Sequence, residues 1–215
     1  MSNPSLFDLL TFQFNRVRPK LFLTLGDHAR YVQCVPQPIL GLGVDPWPTM
    51  NMKELPPNQQ VYPVTSDYFF HSPYMIRDLH PDIIMISGFK RFEQVLRDAI
   101  FSEKLCKKES VIMIMNTVPL AAGDIDRADI SPSQHQTGDV FKIIPIYKKY
   151  RPDIKISTIT DIDMGFTILE NLDEANHVLQ TELVLAVQDV IDQKFEERDT
   201  STDMTLDEYK ARCSN

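Results

Sequence analysis

Residues 82–115 read DIIMISGFKRFEQVLRDAIFSEKLCKKESVIMIM, and this stretch decides the fold class. It begins with one apolar run, Asp82–Ile86, and ends with another, Val111–Met115. Both runs are continuous rather than alternating, which is typical of strands that helices cover on both faces. Between them, Arg91–Leu105 places its apolar side chains at helical spacing. The stretch therefore predicts a strand–helix–strand unit, which forms a parallel pair with a right-handed crossover.

The same alternation of apolar runs and helical segments continues on both sides of this unit. Further strands are predicted at Leu21–Leu25, Ile39–Val44, Val61–Val64, Ile154–Ile159 and Gly165–Leu169, the fourth with the alternation of an edge strand. Helices are predicted at Gly138–Tyr150, which Pro145 should kink or shorten, and at Leu172–Glu197, one long C-terminal helix. The pattern predicts an α/β fold with a Rossmann-like, doubly wound and mostly parallel sheet.

The chain length of 215 residues suits one large domain with short flanking segments. We expect an N-terminal helical segment at residues 1–20, the main domain at 21–197 and a polar C-terminal tail at 198–215. The tail is weakly patterned, and two interpretations stay open: a frayed end or a short helix around Leu206–Cys213.

Composition excludes several classes of function. The formal net charge of −8 repels phosphate backbones, so nucleic acid is not an expected partner. No stretch approaches the roughly 20 apolar residues that span a bilayer, and the first residues do not form a secretion signal. Three scattered cysteines, Cys34, Cys106 and Cys213, give neither metal-ligand spacing nor a disulfide framework. These features predict a cytoplasmic protein without a membrane partner.

Ligands of doubly wound sheets bind beyond the carboxyl ends of the strands. The residues that follow the apolar runs include Gly26, Asp45, Asp67, Ser87, Gly88 and Asn116. Gly26 lets the backbone approach a ligand, or it only makes a tight turn. Asp45 accepts hydrogen bonds from the hydroxyls of a ribose, or it begins a turn before Pro46. The neighbouring Trp47 covers an adenine ring, or it packs on the surface.

The five histidines show no metal-ligand spacing. His135 lies in the long loop Ala121–Gln136 near Asp139, which makes it the best histidine candidate for acid–base chemistry. The chain has no serine-hydrolase elbow, no phosphate-binding P-loop and no CxxC motif.

Four segments, in this order along the chain, carry a resemblance to a known family. They are GVDPWP at 43–48, VTSDYFF at 64–70, SGFKRFEQVLRDAIFSEK at 87–104 and TGDVFKIIPIYKKYRPDIKI at 137–156. From about Leu21 to Leu179 the chain resembles small bacterial class I S-adenosylmethionine-dependent methyltransferases. The resemblance implies an antiparallel last strand, which the run at Gly165–Leu169 suits, and S-adenosylmethionine as the cofactor. The residues that it implies beside this cofactor are Gly26, Asp45, Asp67, Ser87 and Gly88.

The chain departs from the family pattern at several strand ends. Thr24 holds the position of an acidic residue, and the first turn lacks a second glycine. Ser87 replaces an aspartate, Lys90 a histidine and Asn116 another aspartate. Ser87 and Asn116 alone make a poor Mg²⁺ site because a hard cation prefers charged oxygen ligands, so no metal is predicted. Lys90 serves as a base only if its pKa falls well below the ordinary value of about 10.4.

Two functional hypotheses follow. In the first, the protein is an enzyme that transfers a methyl group from S-adenosylmethionine to a hydroxyl of a small molecule or sugar. Its candidate catalytic residues are Lys90, Asn116 and Asp139, with Lys142 also facing the acceptor. In the second, it is a catalytically inactive binding or assembly module. The apolar C-terminal helix then has two interpretations: it packs in the core, or it is the face through which a homodimer forms. An adenosine-sized pocket at the strand ends favours the first hypothesis, and side chains that fill it favour the second.

Overall fold

The computed structural model describes residues 4–125 and 136–214. In chain order the strands are β1 Leu21–Leu25, β2 Leu40–Val44, β3 Gln59–Tyr62, β4 Ile83–Ile86, β5 Val111–Met115, β6 Lys155–Ile159, β7 Phe166–Glu170 and β8 Asp203–Met204. They form one eight-stranded sheet with the order β3-β2-β1-β4-β5-β7-β6-β8.

Helices cover both faces of this sheet. They are α1 Leu6–Val17, α2 Ser66–Phe70, α3 Pro73–Ile76, α4 Phe92–Glu103, α5 Ile143–Tyr150, α6 Val178–Thr181, α7 Leu183–Val190 and α8 Leu206–Ser214. Short 3-10 helices lie at Asp27–Cys34, Met52–Glu54, Ala122–Ile125, Val140–Lys142 and Phe195–Glu197. One core cluster joins the sheet to α2, α4, α5, α6 and α7, and a second joins it to α1, α8 and the first 3-10 helix. Within the described ranges, no helix has the length and apolar character needed to cross a membrane.

The sheet is mostly parallel. Strands β1 to β5 pair in parallel, whereas β7 runs antiparallel to both of its neighbours, β5 and β6. This arrangement confirms the predicted doubly wound sheet with its antiparallel strand. The chain builds β2 and β3 on one side of β1, then β4 and β5 on the other, so the strand order reverses between β1 and β4. Such a reversal opens the crevice in which doubly wound sheets bind ligands.

Strand β4 explains why the apolar runs are continuous. Ile84 and Ile86 belong to the core cluster of α4 and α5, while Ile83 and Met85 belong to the cluster of α1 and α8. All four side chains are buried, because successive residues of a strand point to opposite faces and both faces are covered.

The predicted long helix at Leu172–Glu197 is wrong, because non-helical residues separate α6, α7 and a final 3-10 turn. Asp173 accepts a hydrogen bond from the N–H of Ala175, and Asn176 accepts one from the N–H of Val178, both at 3.0 Å. Such short side chains compete with the helix for backbone partners, so helical structure does not begin before Val178. The apolar stripe still marks a buried face, whose core members are Leu179, Ala186 and Val190.

Two strands differ from their predicted form for local reasons. Strand β3 ends at Tyr62 because Thr65 caps α2, its hydroxyl accepting the N–H of Tyr68 at 3.2 Å. The prediction that β6 is an edge strand is wrong. Strands β7 and β8 flank it, and Ser157 and Thr158 are buried.

Pro145 shortens its helix, as predicted. It lies in the first turn of α5, where a missing N–H costs nothing, and the residues before it form a 3-10 turn at Val140–Lys142.

The residues from 198 onward fold onto the rest of the chain. Strand β8 pairs in parallel with β6, and α8 follows it. Leu206 and Tyr209 of α8 are fully buried, and the Tyr209 hydroxyl accepts a hydrogen bond from Nε2 of Gln13 in α1 at 3.0 Å. Helix α8 coincides with the short helix that was one interpretation of the tail, while the division into segments stays a prediction.

Candidate functional site

The crevice where the strand order reverses is formed by the ends of β1 and β4. Gly26 follows β1 with a φ of +82°, in a region that favours glycine. A Cβ at this position would lie 2.0 Å from the Cα of Gly88, the second residue after β4. The two loops therefore touch through bare backbone, and Gly26 has no room for a side chain.

Hydrogen bonds connect this contact to the neighbouring strand ends. Ser87 donates both its N–H, at 2.9 Å, and its hydroxyl, at 3.1 Å, to the carbonyl oxygen of Leu25. Gly26 donates its N–H to the carbonyl oxygen of Val44 at 2.8 Å. The ends of β1, β2 and β4 thus form one connected surface, here called the strand-end rim. Its predicted site residues are Gly26, Asp45, Ser87 and Gly88.

Asp45 stands at the end of β2 and is buried. Its Oδ1 accepts the N–H of Trp47 at 2.7 Å, which is the turn that one interpretation of the sequence predicts. Trp47 is 76% exposed. The turn therefore places an exposed tryptophan two residues after a buried carboxylate at the strand-end rim.

Asp67 contacts α4. It is exposed in α2, with Oδ1 3.8 Å from Nε of Arg97 and within hydrogen-bond distance of Gln94. Asp98 is buried beside it and accepts a hydrogen bond from Nε2 of Gln94 at 2.9 Å. Burial raises the pKa of Asp98 to about 7, although hydrogen bonds from Ser66 and Gln94 oppose this rise.

Asn116 follows β5 and carries a polar group with no hydrogen-bond partner among the described residues. Its φ is +64°, and its N–H donates to the carbonyl oxygen of Gly165 at 3.1 Å. Two side-chain oxygens, Oδ1 of Asn116 and Oγ1 of Thr117, are buried. No described atom donates a hydrogen bond to either of them. Buried polar groups without partners are costly, which marks this strand end as a place where a ligand can donate hydrogen bonds.

Asp139 and Lys142 lie in the core. Asp139 accepts the N–H of Phe92 at 3.1 Å through Oδ1, at the start of α4, and its Oδ2 lies 3.5 Å from Nζ of Lys142. Lys142 also donates to the carbonyl oxygen of Ile191 at 2.6 Å. Lys90 is near, because a Cβ on the residue before Asp139 would lie 1.8 Å from the Lys90 carbonyl oxygen. The structure thus brings Lys90 and Asp139 together, whereas Asn116 lies beyond β5.

Sequence reasoning missed a buried ion pair between two of the segments that carry the family resemblance, 87–104 and 137–156. Nη1 of Arg151 lies 2.5 Å from Oε2 of Glu103, and both side chains are almost fully buried. The other oxygen of Glu103 accepts the N–H of Asp173 at 2.9 Å. No signal in the sequence indicated that Arg151 has a partner in α4.

A cavity of about 420 Å³ opens at the same edge of the sheet, beyond β5. Its lining residues are Pro4, Val118, Leu120, Thr160, Asp161, Ile162, Asp163, Met164 and Gly165. We call it the hairpin cavity, because residues 160–165 connect β6 to β7. None of the predicted site residues lines it.

The described residues contain no group of three or more His, Cys, Asp or Glu side chains that could hold a metal ion. The absence of a metal requirement therefore stays a prediction from the sequence. His135, the candidate histidine, lies outside the described residues.

Comparison with known proteins identifies the fold. No family model matches the chain, and no curated protein matches its sequence. Solved structures of S-adenosylmethionine-dependent methyltransferases do match in three dimensions, as the resemblance in sequence implies.

Three of these structures represent the match. The O-methyltransferase TomG from Streptomyces achromogenes, in complex with S-adenosylmethionine, has a TM-score of 0.55 and 14% identity, over 78% of this chain and 79% of TomG. The Podospora anserina methyltransferase PaMTH1, bound to S-adenosylhomocysteine, gives 0.56 and 13%, over 78% of each chain. The Bacillus cereus O-methyltransferase, also with S-adenosylhomocysteine, gives 0.53 and 13%, over 76% of this chain and 80% of that one. At such low identity the likeness shows the fold alone.

Proposed function

We propose that this protein binds S-adenosylmethionine at the strand-end rim and transfers its methyl group to a hydroxyl of a small molecule. The observation that carries the proposal is the meeting of Gly26 and Gly88 where the strand order reverses. Bare backbone at a topological switch point is what a nucleoside cofactor requires in this fold. The cofactors bound to the similar structures support the same choice.

The residues of the rim fit such a cofactor in their chemistry. The Asp45 carboxylate, which accepts the N–H of Trp47, is the type of acceptor that ribose hydroxyls require. The exposed indole of Trp47 offers a flat apolar surface for an adenine ring. Asp67 and Ser87 border the same cofactor in this proposal. When bound, the cofactor supplies an electrophilic sulfonium methyl group.

The chain itself contributes mainly position. Asn116 Oδ1 and Thr117 Oγ1 have no described partner, so they suit an acceptor hydroxyl that donates to them. Holding the acceptor oxygen in line with the methyl group supplies most of the acceleration. Lys90 is the candidate base. Asp139 accepts the N–H of Phe92 and so holds the segment before α4, which contains Lys90, in place. A sugar is one acceptor of this class.

A second candidate function is a non-catalytic binding or assembly module. Asp45 is buried and already accepts a hydrogen bond, and Ser87 turns its hydroxyl back to Leu25. These contacts favour a rim closed on itself. Val184 and Leu185 of α7 are exposed apolar residues through which two copies could pair. In either function we propose a cytoplasmic location and no nucleic-acid partner, given the charge of −8.

Calorimetric titration with S-adenosylmethionine and S-adenosylhomocysteine tests the proposal. We expect micromolar binding that Asp45→Ala weakens at least about ten-fold, as the loss of a charged hydrogen-bond acceptor implies. Asp192→Ala is the matched control, because Asp192 is exposed and follows α7. Absence of binding at millimolar ligand would rule out the methyltransferase and leave the binding module.

A further inference from the structure

The hairpin cavity is held open by backbone hydrogen bonds. The N–H of Asn116 donates to the carbonyl oxygen of Gly165 at 3.1 Å, and that of Val118 donates to Met164 at 3.0 Å. These bonds join the segment after β5 to the β6–β7 hairpin, which are the two walls of the cavity. A cavity fixed in this way binds a ligand without first ordering its walls.

Its position suits an acceptor site. Strand β4, which ends in the strand-end rim, is the direct neighbour of β5. Adjacent strands lie about 4.8 Å apart, so the ends of β4 and β5 are neighbours at this edge of the sheet. Asn116 follows β5 directly, and its N–H donates to Gly165, one of the lining residues. The volume of about 420 Å³ is in the range of small-molecule sites, about 300 to 1,000 Å³.

The lining of the cavity is apolar and acidic. Its apolar residues are Pro4, Val118, Leu120, Ile162 and Met164, and its polar side chains are Thr160, Asp161 and Asp163. No lysine, arginine or histidine is found among the described residues that line it. An apolar surface favours a ligand with a hydrocarbon body, such as an aromatic ring.

The charge of the lining favours a cation. Asp161 accepts the N–H of Leu206 at 2.9 Å, which fixes its carboxylate at the start of α8. Asp163 is exposed at the tip of the hairpin, and within the described ranges no cationic side chain pairs with it. Two carboxylates in a chain with a net charge of −8 attract a basic nitrogen and repel phosphate or carboxylate groups.

We infer that the hairpin cavity binds the methyl acceptor, and that this acceptor is a hydroxylated amine with an apolar body. Asp163 selects its positive charge, and Leu120 packs against its hydrocarbon part. The role as acceptor rests on the proposed function, whereas the selectivity of the cavity does not. Anionic acceptors, such as nucleotides or acyl-coenzyme A esters, are rejected by the two carboxylates.

Three phenols of similar shape test this selectivity: tyramine, its neutral analogue ethylphenol and its anionic analogue hydroxyphenylpropionate. Their binding to the full chain is measured by ligand-observed NMR without any cofactor. We expect tyramine to bind about five-fold more tightly than ethylphenol, as an exposed ion pair implies, and hydroxyphenylpropionate to bind most weakly.

Variants separate the charge of the cavity from its apolar surface. Asp163→Asn should lower the affinity for tyramine to that for ethylphenol, about five-fold, and leave ethylphenol unchanged. Leu120→Ala should weaken tyramine and ethylphenol alike, because both bury the same ring. Asp192→Asn makes the same charge change on an exposed residue after α7 and should change neither affinity.

Three results would overturn the inference: equal affinities for tyramine and hydroxyphenylpropionate, a tyramine affinity that Asp163→Asn does not change, or no binding of any probe at millimolar concentration. Failure of the proposed function gives a different pattern. Titration with S-adenosylmethionine would then show no binding, while tyramine still bound and still responded to Asp163→Asn.

Discussion

Arg151 and Glu103 form an ion pair in the interior, with 2.5 Å between Nη1 and Oε2, although 48 positions separate them in the chain. Glu103 ends α4, and Arg151 follows α5. The pair therefore joins two helices that cover the same face of the sheet. The other Glu103 oxygen holds the N–H of Asp173, which adds the segment after β7 to the same junction.

Glu103→Ala should destabilise the protein by about 3 to 5 kcal/mol, because it leaves a buried guanidinium without its buried partner. Urea denaturation measures the free energy of unfolding. Asp153→Ala is the control, since that carboxylate also contacts Arg151 but its side chain is 43% exposed. Its loss should cost about 1 kcal/mol or less. Equal costs for the two variants would contradict the prediction.

Gly26→Ala should destabilise the protein by about 2 to 4 kcal/mol and abolish cofactor binding. The added Cβ meets the backbone of Gly88 at 2.0 Å, and the positive φ of Gly26 is strained for alanine. Gly123→Ala is the matched control, since a Cβ there meets no described atom within 4 Å. Thermal unfolding and titration with S-adenosylhomocysteine report the two effects. Wild-type values for Gly26→Ala would show that the rim is not closely packed.

Because of Asp98, the free energy of unfolding should fall as the pH rises from about 4 to 7. Its pKa is raised by burial to about 7 in the folded state, against 3.8 for the free group, so folding favours the protonated form. That contribution is complete below pH 4 and is lost as pH rises through 7, at most about 4 kcal/mol. Asp98→Asn cannot ionise, so its stability relative to wild type should rise by a few kcal/mol between pH 4 and pH 8. Urea curves at both pH values measure this, and a constant difference would refute it.

Asp139 can be tested as a structural or a catalytic group. Its contacts with Phe92 and Lys142 predict that Asp139→Ala destabilises the protein by about 2 to 4 kcal/mol. Asp139→Asn keeps Oδ1 as an acceptor for the N–H of Phe92. If the role is structural, this variant should retain methyl transfer within about ten-fold, whereas loss of a general base costs about 100-fold or more. Rates measured under conditions where both variants are folded distinguish the roles.

The candidate site was only partly accessible to sequence reasoning. The sequence placed Gly26, Ser87 and Gly88 after strands, and the structure brings these three residues together at one rim. The hairpin cavity was not foreseen, since its lining comes from three separate parts of the chain. The core contacts of Asp139 and Lys142 were also not foreseen, because their partners lie in α4 and after α7.

The sequence by itself determined the positions of β1 to β7 and the mostly parallel character of the sheet, because continuous apolar runs and helical periodicity are local consequences of burial on two faces. Tertiary structure decided that the predicted long helix divides into α6, α7 and a final 3-10 turn, with Asp173 and Asn176 accepting backbone N–H groups before α6 begins. It also decided that β6 lies inside the sheet, since β8 comes from a segment without a strand pattern. Tertiary structure also decided the pairing of Arg151 with Glu103 and the contact of Gly26 with Gly88. Contacts between distant residues depend on how the layers pack, and no local pattern of side chains records them.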